Sequence, residues 1–228
     1  MMPKERNIIF KLNHMSGNRE ITKNLITRKA VKVSIDPPFT WVSGIKSPVY
    51  CDNRKMIAFP EERKAVTDAF VKLIEEKGLK PDVIGGTATA AIPWAAFLAY
   101  EMNLPMIYIR PEKKEHGAGK QIEGHLEPGQ NVLIVEDLIS TGGSSVKAVE
   151  AVREEGKCTV EDVFAIVTWE IPKAVGRFQE AEVRLTTLTN YTNIITLAAE
   201  EGYLPPEQLD AVLEFKENPA EWGGKMGF

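Results

Sequence analysis

Val132 to Ser145 reads VLIVEDLISTGGSS. Val132, Leu133, Ile134 and Val135 form an unbroken apolar run rich in β-branched residues, the pattern of a strand covered on both faces in a parallel sheet. Glu136 and Asp137 follow directly. Ser140, Thr141, Gly142, Gly143, Ser144 and Ser145 then lead into an apolar helix pattern at Val146, Val149 and Val152. A strand's carboxyl end, a Gly-Ser-Thr turn and a helix start therefore come in succession. Open backbone N–H groups and the positive end of the helix dipole at such a junction hold anions, and a phosphate fits there.

Two carboxylates beside a bare anion hole repel its occupant, so the pair implies partners of its own. Sugar hydroxyls and a hydrated Mg²⁺ suit it. The turn is not the nucleotide-triphosphate loop G-x-x-x-x-G-K-[ST], because no Lys follows its last Gly, and it does not match G-x-G-x-x-G. An acidic strand end followed by a serine-capped helix is the plainer reading of the same residues. Taken whole, the strand, the acid pair and the T-G-G-S turn resemble the phosphoribosyl diphosphate (PRPP) signature of type I phosphoribosyltransferases.

Moving outward, Val83-Ile84 reads as a short buried strand running into a turn, Gly85-Gly86-Thr87-Ala88-Thr89, and then an apolar helix from Ala90 to Met102. Tight packing of helix on sheet and a backbone cradle for a diphosphate both account for these glycines. Met106 to Ile109 repeats the strand signal, and Arg110 opens the polar stretch RPEKKEHGAGKQIEGHLEPGQ. A structureless connection of that length is uncommon unless it closes over a site or is disordered. Its composition suggests a lid: Arg110, Lys113, Lys114, His116 and Lys120 would neutralise phosphates, and Gly117, Gly119 and Gly124 would give mobility. His125 has no companion ligand nearby, and no metal ligand from the protein is expected.

The flanks complete the pattern. A helix is expected from Arg19 on Ile21, Leu25 and Ile26, and an alternating strand at Val31, Val33 and Ile35 ends at Asp36-Pro37-Pro38. Phe39 to Arg54, FTWVSGIKSPVYCDNR, fits a hairpin or bulged strand with Gly44 in its turn, although its Lys46, Ser47, Tyr50, Asp52 and Arg54 also suit a functional surface. Pro60 to Lys77 is a helix bounded by Pro60 and Gly78. After the helix that Gly156 closes come a strand at Val163 to Val167, a helix at Pro172 to Glu180, a strand at Val183 to Leu188, and helices at Asn190 to Glu201 and Pro205 to Lys216. Trp222 is placed to pin the tail. This alternation implies right-handed crossovers and an α/β fold with an open parallel sheet flanked by helices. Ligands belong at the carboxyl ends of its strands, where Gly85, Arg110 and Glu136 all fall.

Composition narrows the function classes. With 28 basic and 32 acidic side chains the net charge is -4, so neither nucleic acid nor an anionic membrane is an expected partner. Cys51 and Cys158 are too few for a disulfide framework or a Cys-rich zinc site, and a cytoplasmic setting is expected. No apolar run approaches the roughly 20 residues that span a bilayer. Residues 1–18 are polar and loosely patterned and are expected to be a flexible extension, leaving residues 19–228 as a single domain.

The motifs FTW-x-SG-x-KSP-x-YCDNR and RPEKKEHG, read with the PRPP signature, resemble the orotate phosphoribosyltransferase family over nearly everything from Arg19 to the last helices. The resemblance implies that residues 19–54 form a small hood and pyrimidine pocket, with Ser43, Gly44, Lys46 and Tyr50 facing orotate together with Ser140. It implies a PRPP loop at Glu136, Asp137, Leu138, Ile139, Ser140, Thr141, Gly142, Gly143 and Ser144, the two acids toward the ribose hydroxyls and Ser140 to Ser144 around the 5'-phosphate. Thr87, Ala88 and Thr89 correspond to the diphosphate loop. Arg110, Lys114 and His116 correspond to a mobile loop that in known members reaches across a homodimer. Three positions depart from the pattern of many members: Ala90 and Pro111 replace basic residues, and Glu170 replaces an orotate-binding Arg.

The implied reaction moves phosphoribosyl from PRPP to orotate with Mg²⁺, in pyrimidine biosynthesis. Lys114, His116 and Asp137 are its implied catalytic residues, the first two stabilising the leaving diphosphate. A purine phosphoribosyltransferase would keep the PRPP motif but lack the Phe39 to Arg54 segment. A PRPP-sensing regulator that binds nucleic acid would need a basic module absent from this acidic chain.

Overall fold

The computed structural model describes residues 18–41, 43–112 and 120–228. Helix α1 (Arg19–Thr27) starts at Asn18, whose side chain accepts a hydrogen bond from the Ile21 N–H at 3.2 Å, and buries Ile21, Leu25 and Ile26 as their spacing predicts. Strands β1 (Val31–Val33), β2 (Phe39–Thr40), β3 (Lys46–Ser47) and β4 (Val49–Cys51) follow, with β1 antiparallel to β4 and β2 antiparallel to β3. Gly44, at φ 85°, occupies the β2–β3 turn, where a side chain would be strained. The alternating run ends at Val33 and does not extend to Ile35.

Helix α2 (Pro60–Glu76) leads to β5 (Val83–Thr87), α3 (Ile92–Met102), β6 (Met106–Ile109) and the short β7 (Ile122–Glu123). Then come β8 (Val132–Ile139), α4 (Gly143–Glu154), β9 (Asp162–Thr168), α5 (Pro172–Glu180), β10 (Arg184–Asn190), α6 (Tyr191–Glu200), α7 (Leu209–Leu213) and α8 (Pro219–Lys225). The main sheet runs β10-β9-β8-β5-β6-β7, all parallel except β7, which lies antiparallel on β6. The expected open parallel sheet is therefore present, with one added edge strand inside the long polar segment.

Strand β8 divides two apolar layers by simple alternation. Leu133 and Val135 join the layer built with α1, α2, α3 and α6, whereas Val132 and Ile134 join the layer built with α4 and α5. Consequently α3 and α4 lie on opposite faces, and the chain leaves β5 toward β6 but leaves β8 toward β9. Neighbouring strands whose connections depart in opposite directions open a crevice between their carboxyl ends.

Several local expectations change at this crevice. β8 does not stop at Val135: β5 pairs with it only as far as Gly86 opposite Val135, and beyond that β9 alone carries it, pairing Glu136 with Ala165 and Leu138 with Val167. Glu136 and Asp137 therefore sit in the strand and not after it. Gly85 and Gly86 also belong to a strand. A Cβ on Gly86 would lie 2.8 Å from the Cβ of Ala95 and 3.0 Å from the carbonyl oxygen of Ala91, so this glycine lets α3 approach the sheet. Gly124 takes φ 109°, and a Cβ built on it would lie 3.1 Å from the Ile107 side chain, so backbone angle and packing both account for a glycine there.

The tail is more broken than its periodicity suggests. The expected helix at Pro205 to Lys216 is α7 flanked by single 3₁₀ turns, and α8 is an addition. Trp222 pins this tail as expected. It is buried, its indole N–H donates to the carbonyl of Ala211 at 2.7 Å, and its ring meets Phe215 edge-on at 5.7 Å.

Candidate active site

The crevice between β5 and β8 collects the carboxylate pair. Glu136 is buried; its Oε1 accepts from the Asp137 backbone N–H and its Oε2 from the Ser145 hydroxyl, both at 3.1 Å. Burial pushes its carboxyl up to about 8, with hydrogen bonding from Thr87 pulling the other way and the charge of Asp137 adding to the rise. Burial also raises Asp137, whose side chain is less enclosed. Ionising both groups in one enclosed space is unfavourable without a cation or hydroxyl donors, and the pair is therefore built to receive them.

This geometry has a measurable consequence for the unliganded protein. Below the ordinary carboxylate range Glu136 is protonated both folded and unfolded; between about 4.5 and about 8 only the folded protein keeps the proton. Stability therefore falls as pH rises through that window, by at most about 1.4 kcal/mol per pH unit, and levels off above it. Thermal unfolding from pH 5 to 9 checks this: Glu136→Gln is expected to flatten the decline, and an identical slope in the variant would contradict the burial argument.

Past Ile139 the strand becomes the Ser140–Gly142 turn and then α4. Gly142 takes φ 75° with Phe178 3.0 Å from where its Cβ would be, and no side chain caps α4, so the first-turn N–H groups open on the crevice. A cavity of about 370 Å³ lies against this turn. Its lining brings together Thr87, Ala88, Arg110, Gly143 and Ser144, residues expected from sequence to share one site. Thr89 is exposed beside it, beyond a cis Ala88–Thr89 peptide. Ile139 is a core residue, so only its backbone is presented. A larger hollow of about 610 Å³ flanks α4, but Glu112, Glu150, Glu154 and Glu155 line it and make it unsuited to a diphosphate.

Two cations in the cavity wall were not expected. Lys147 lies one helical turn after Gly143, a spacing that would have revealed it. Arg177 reaches in from α5, and its Nη1 donates to the carbonyl and hydroxyl oxygens of Thr141 at 2.9 and 3.1 Å. Nothing in its local pattern marks it, since it lies on a different element from the turn it touches.

The segment from Phe39 to Arg54 approaches from the other side. Asn53, fully buried, donates from Nδ2 to the carbonyl of Asp137 at 2.7 Å, tying the segment after β4 to β8. Arg54, paired with Asp52 at 2.6 Å, lies close enough to Asp137 to oppose the effect of burial on it. Tyr50 is exposed with its ring 5.8 Å from Phe39, while Ser43 and Gly44 stand exposed at the hairpin turn. Lys46 donates to the Thr40 hydroxyl at 3.0 Å and lies so close to α8 that a Cβ on Gly223 would meet its own Cβ at 2.7 Å. Among the described residues, no hydrogen bond or ion pair joins Ser43, Gly44 or Lys46 to the Ser140–Ser144 turn.

Of the lid, Arg110 is half-buried, its backbone N–H donating to the Gln121 carbonyl at 2.9 Å and its Nη1 3.8 Å from Glu123. Lys120 is exposed. Lys113, Lys114, His116, Gly117 and Gly119 lie outside the described residues. Of the departing positions, Pro111 lines the cavity of about 370 Å³, and Ala90 follows Thr89. Glu170 serves the tail: its Oε2 accepts from the backbone N–H and hydroxyl of Thr192, at 2.8 and 2.5 Å, with Lys216 Nζ 3.6 Å away.

Comparison with known proteins agrees with this arrangement. The phosphoribosyl transferase domain family model matches residues 55–198. The orotate phosphoribosyltransferase of Streptococcus sanguinis is 50% identical over 208 residues, 91% of this chain and 99% of the relative. The crystal structure of orotate phosphoribosyltransferase from Aeropyrum pernix superposes with a TM-score of 0.69 at 29% identity, covering 81% of this chain and 99% of that one. UMP synthase of Leishmania donovani gives a TM-score of 0.72 at 27% identity over 86% of this chain, which spans 42% of that protein. A parallel sheet with an acid pair and an uncapped Gly-rich turn at its switch point, in a chain so matched, defines a type I phosphoribosyltransferase. Within that class, the chain belongs to the orotate phosphoribosyltransferase family.

Proposed function

We propose that this enzyme transfers the phosphoribosyl group of PRPP to orotate, forming orotidine 5'-phosphate and diphosphate in pyrimidine biosynthesis. The observation that carries this reading is the joining, at one switch-point crevice, of a buried acid pair to an uncapped helix start. In the proposed mode the 5'-phosphate occupies the Ser140–Ser144 turn, the ribose hydroxyls meet Glu136 and Asp137, and Thr87, Ala88 and Thr89 take the diphosphate. Orotate rests between Ser140 and the hood residues Ser43, Gly44, Lys46 and Tyr50. The bond from C1' to the diphosphate oxygen breaks as the bond from C1' to the orotate nitrogen forms. Positive charge grows on the ribose and negative charge on the leaving group, where Arg110, Lys114 and His116 act.

Among the described residues no group of three or more His, Cys, Asp or Glu is arranged to hold a metal ion. A half-buried carboxylate beside a buried one whose pKa burial raises fits a cation carried chiefly by the substrate's own oxygens, with Asp137 the residue that would touch it. When bound, Mg²⁺ supplies charge neutralisation for the departing diphosphate. We place the enzyme in the cytoplasm because both cysteines are free. Among the described residues, no helix is long and apolar enough to cross a membrane.

Loss of orotate absorbance on adding PRPP and Mg²⁺ is the direct test. Turnover of a purine base with no loss of orotate would overturn the proposal. The active form is proposed to be a homodimer whose lid residues complete the neighbouring site. Mixing Lys114→Ala with Asp137→Ala protein is then expected to restore part of the activity, because one site in each mixed dimer keeps both groups. No restoration in verified mixed dimers would exclude sharing.

A further inference from the structure

Arg177 is separated from the PRPP turn by all of β9, yet α5 lays its guanidinium on that turn. Nη1 spends its two hydrogens on Thr141, at the carbonyl and the hydroxyl. The same nitrogen would lie 2.8 Å from a Cβ on Gly143, so the first residue of α4 must be glycine for the guanidinium to rest there. Among the described residues neither Nε nor Nη2 has a hydrogen-bond acceptor, and no carboxylate lies within ion-pair distance of the group. Arg177 lines the cavity of about 370 Å³ together with Gly143 and Ser144 at the uncapped start of α4. With Lys147 and Arg110 the wall carries three cations, and among the described residues Glu112 is the only acidic one in it.

A guanidinium held on a loop by one nitrogen, with its other donors unused beside a cavity that the same loop borders, is arranged for a phosphate. We propose that Arg177 is a positioning residue for the 5'-phosphate of PRPP, holding Thr141 through Nη1 and directing its remaining N–H donors to the phosphate oxygens. The inference rests on the assignment of PRPP to this turn. It adds a charged anchor to a turn that otherwise offers only backbone N–H groups and hydroxyls. Such an anchor acts on a part of the substrate remote from the breaking bond, so its removal weakens PRPP binding more than it slows the bound reaction.

The test measures binding of ribose 5-phosphate and of diphosphate separately by calorimetry, together with steady-state kinetics, on the full-length protein and three variants. Arg177→Ala is expected to weaken ribose 5-phosphate binding and raise the PRPP KM by about tenfold, while diphosphate binding and the orotate KM change less than twofold. Arg177→Lys should recover much of the loss because it restores charge. Arg177→Gln, which keeps a donor for Thr141 without charge, should not. Equal ribose 5-phosphate binding by wild type and Arg177→Ala, or recovery by Gln as complete as by Lys, would overturn the proposal while leaving the activity intact. Wild-type protein that binds neither ligand and does not consume orotate would overturn the underlying assignment as well.

Discussion

Asp137→Asn is expected to lower kcat/KM for PRPP by about 10- to 100-fold while making the unliganded protein more resistant to heat. The first effect follows from losing the proposed charge-assisted hydrogen bond to the ribose, worth about 1.5–3 kcal/mol. The second follows from relieving a buried like-charge pair: Asp137 raises the Glu136 pKa, and burial raises that of Asp137 itself. With both folded-state pKa values above their unfolded values, ionisation destabilises the apo fold, so an amide at position 137 removes part of that cost at pH 8. Asparagine keeps the shape and leaves the backbone carbonyl free to accept from Asn53. Kinetics and thermal unfolding at pH 8 check both arms. A variant less stable than wild type, or one with unchanged kcat/KM, would contradict the view that the pair is held in an unfavourable state for substrate. Functional sites often carry such a trade of stability against activity.

Trp222→Ala should be the most destabilising single change in the tail, by about 3–5 kcal/mol, which corresponds to a fall in Tm of roughly 10 °C. The indole is buried and holds three partners: the Ala211 carbonyl at 2.7 Å, Phe215 edge-on, and Phe228 stacked at 6.3 Å between centroids. Its effect should extend to the substrate. Gly223, the next residue, lies against the stem of Lys46, so loosening α8 frees the hood lysine proposed for orotate. An increase in orotate KM with a smaller change in PRPP KM is therefore expected at temperatures where the variant is folded. Trp222→Phe should cost less than Trp222→Ala, because it keeps one aromatic ring against Phe215 and loses the hydrogen bond, about 1 kcal/mol, and part of the buried ring volume. Undiminished stability in Trp222→Ala would show that the tail is not anchored there.

Much of this molecule was legible in its sequence because the relevant physics is local. Strand alternation, helix periodicity and the punctuation by Pro and Gly located α2 and α5 almost to the residue, and the contiguous loop from Glu136 to Ser144 presented its acids and turn together. The long-range tasks were less legible. Gly86 read as part of a turn because its reason for being glycine, the approach of Ala95, comes from another element. The 3₁₀ interruptions around α7 and the addition of α8 likewise answer to packing around Phe215 and Trp222.

By itself, the sequence determined the order of strands and helices and the acid pair followed by its Gly-Ser-Thr turn, since each rests on contacts within a few residues, and the strand-helix alternation then limited the sheet to an open parallel form through the handedness of its crossovers. Only the tertiary structure decided that β8 continues through the acids on β9, that Asn53 ties the segment after β4 to Asp137, and that Arg177 and Lys147 stand in the wall of the cavity at the Ser140–Gly142 turn. Those outcomes depend on which distant backbone offers a partner and on which side chain burial brings alongside, and neither quantity has a period or a spacing that a linear chain displays.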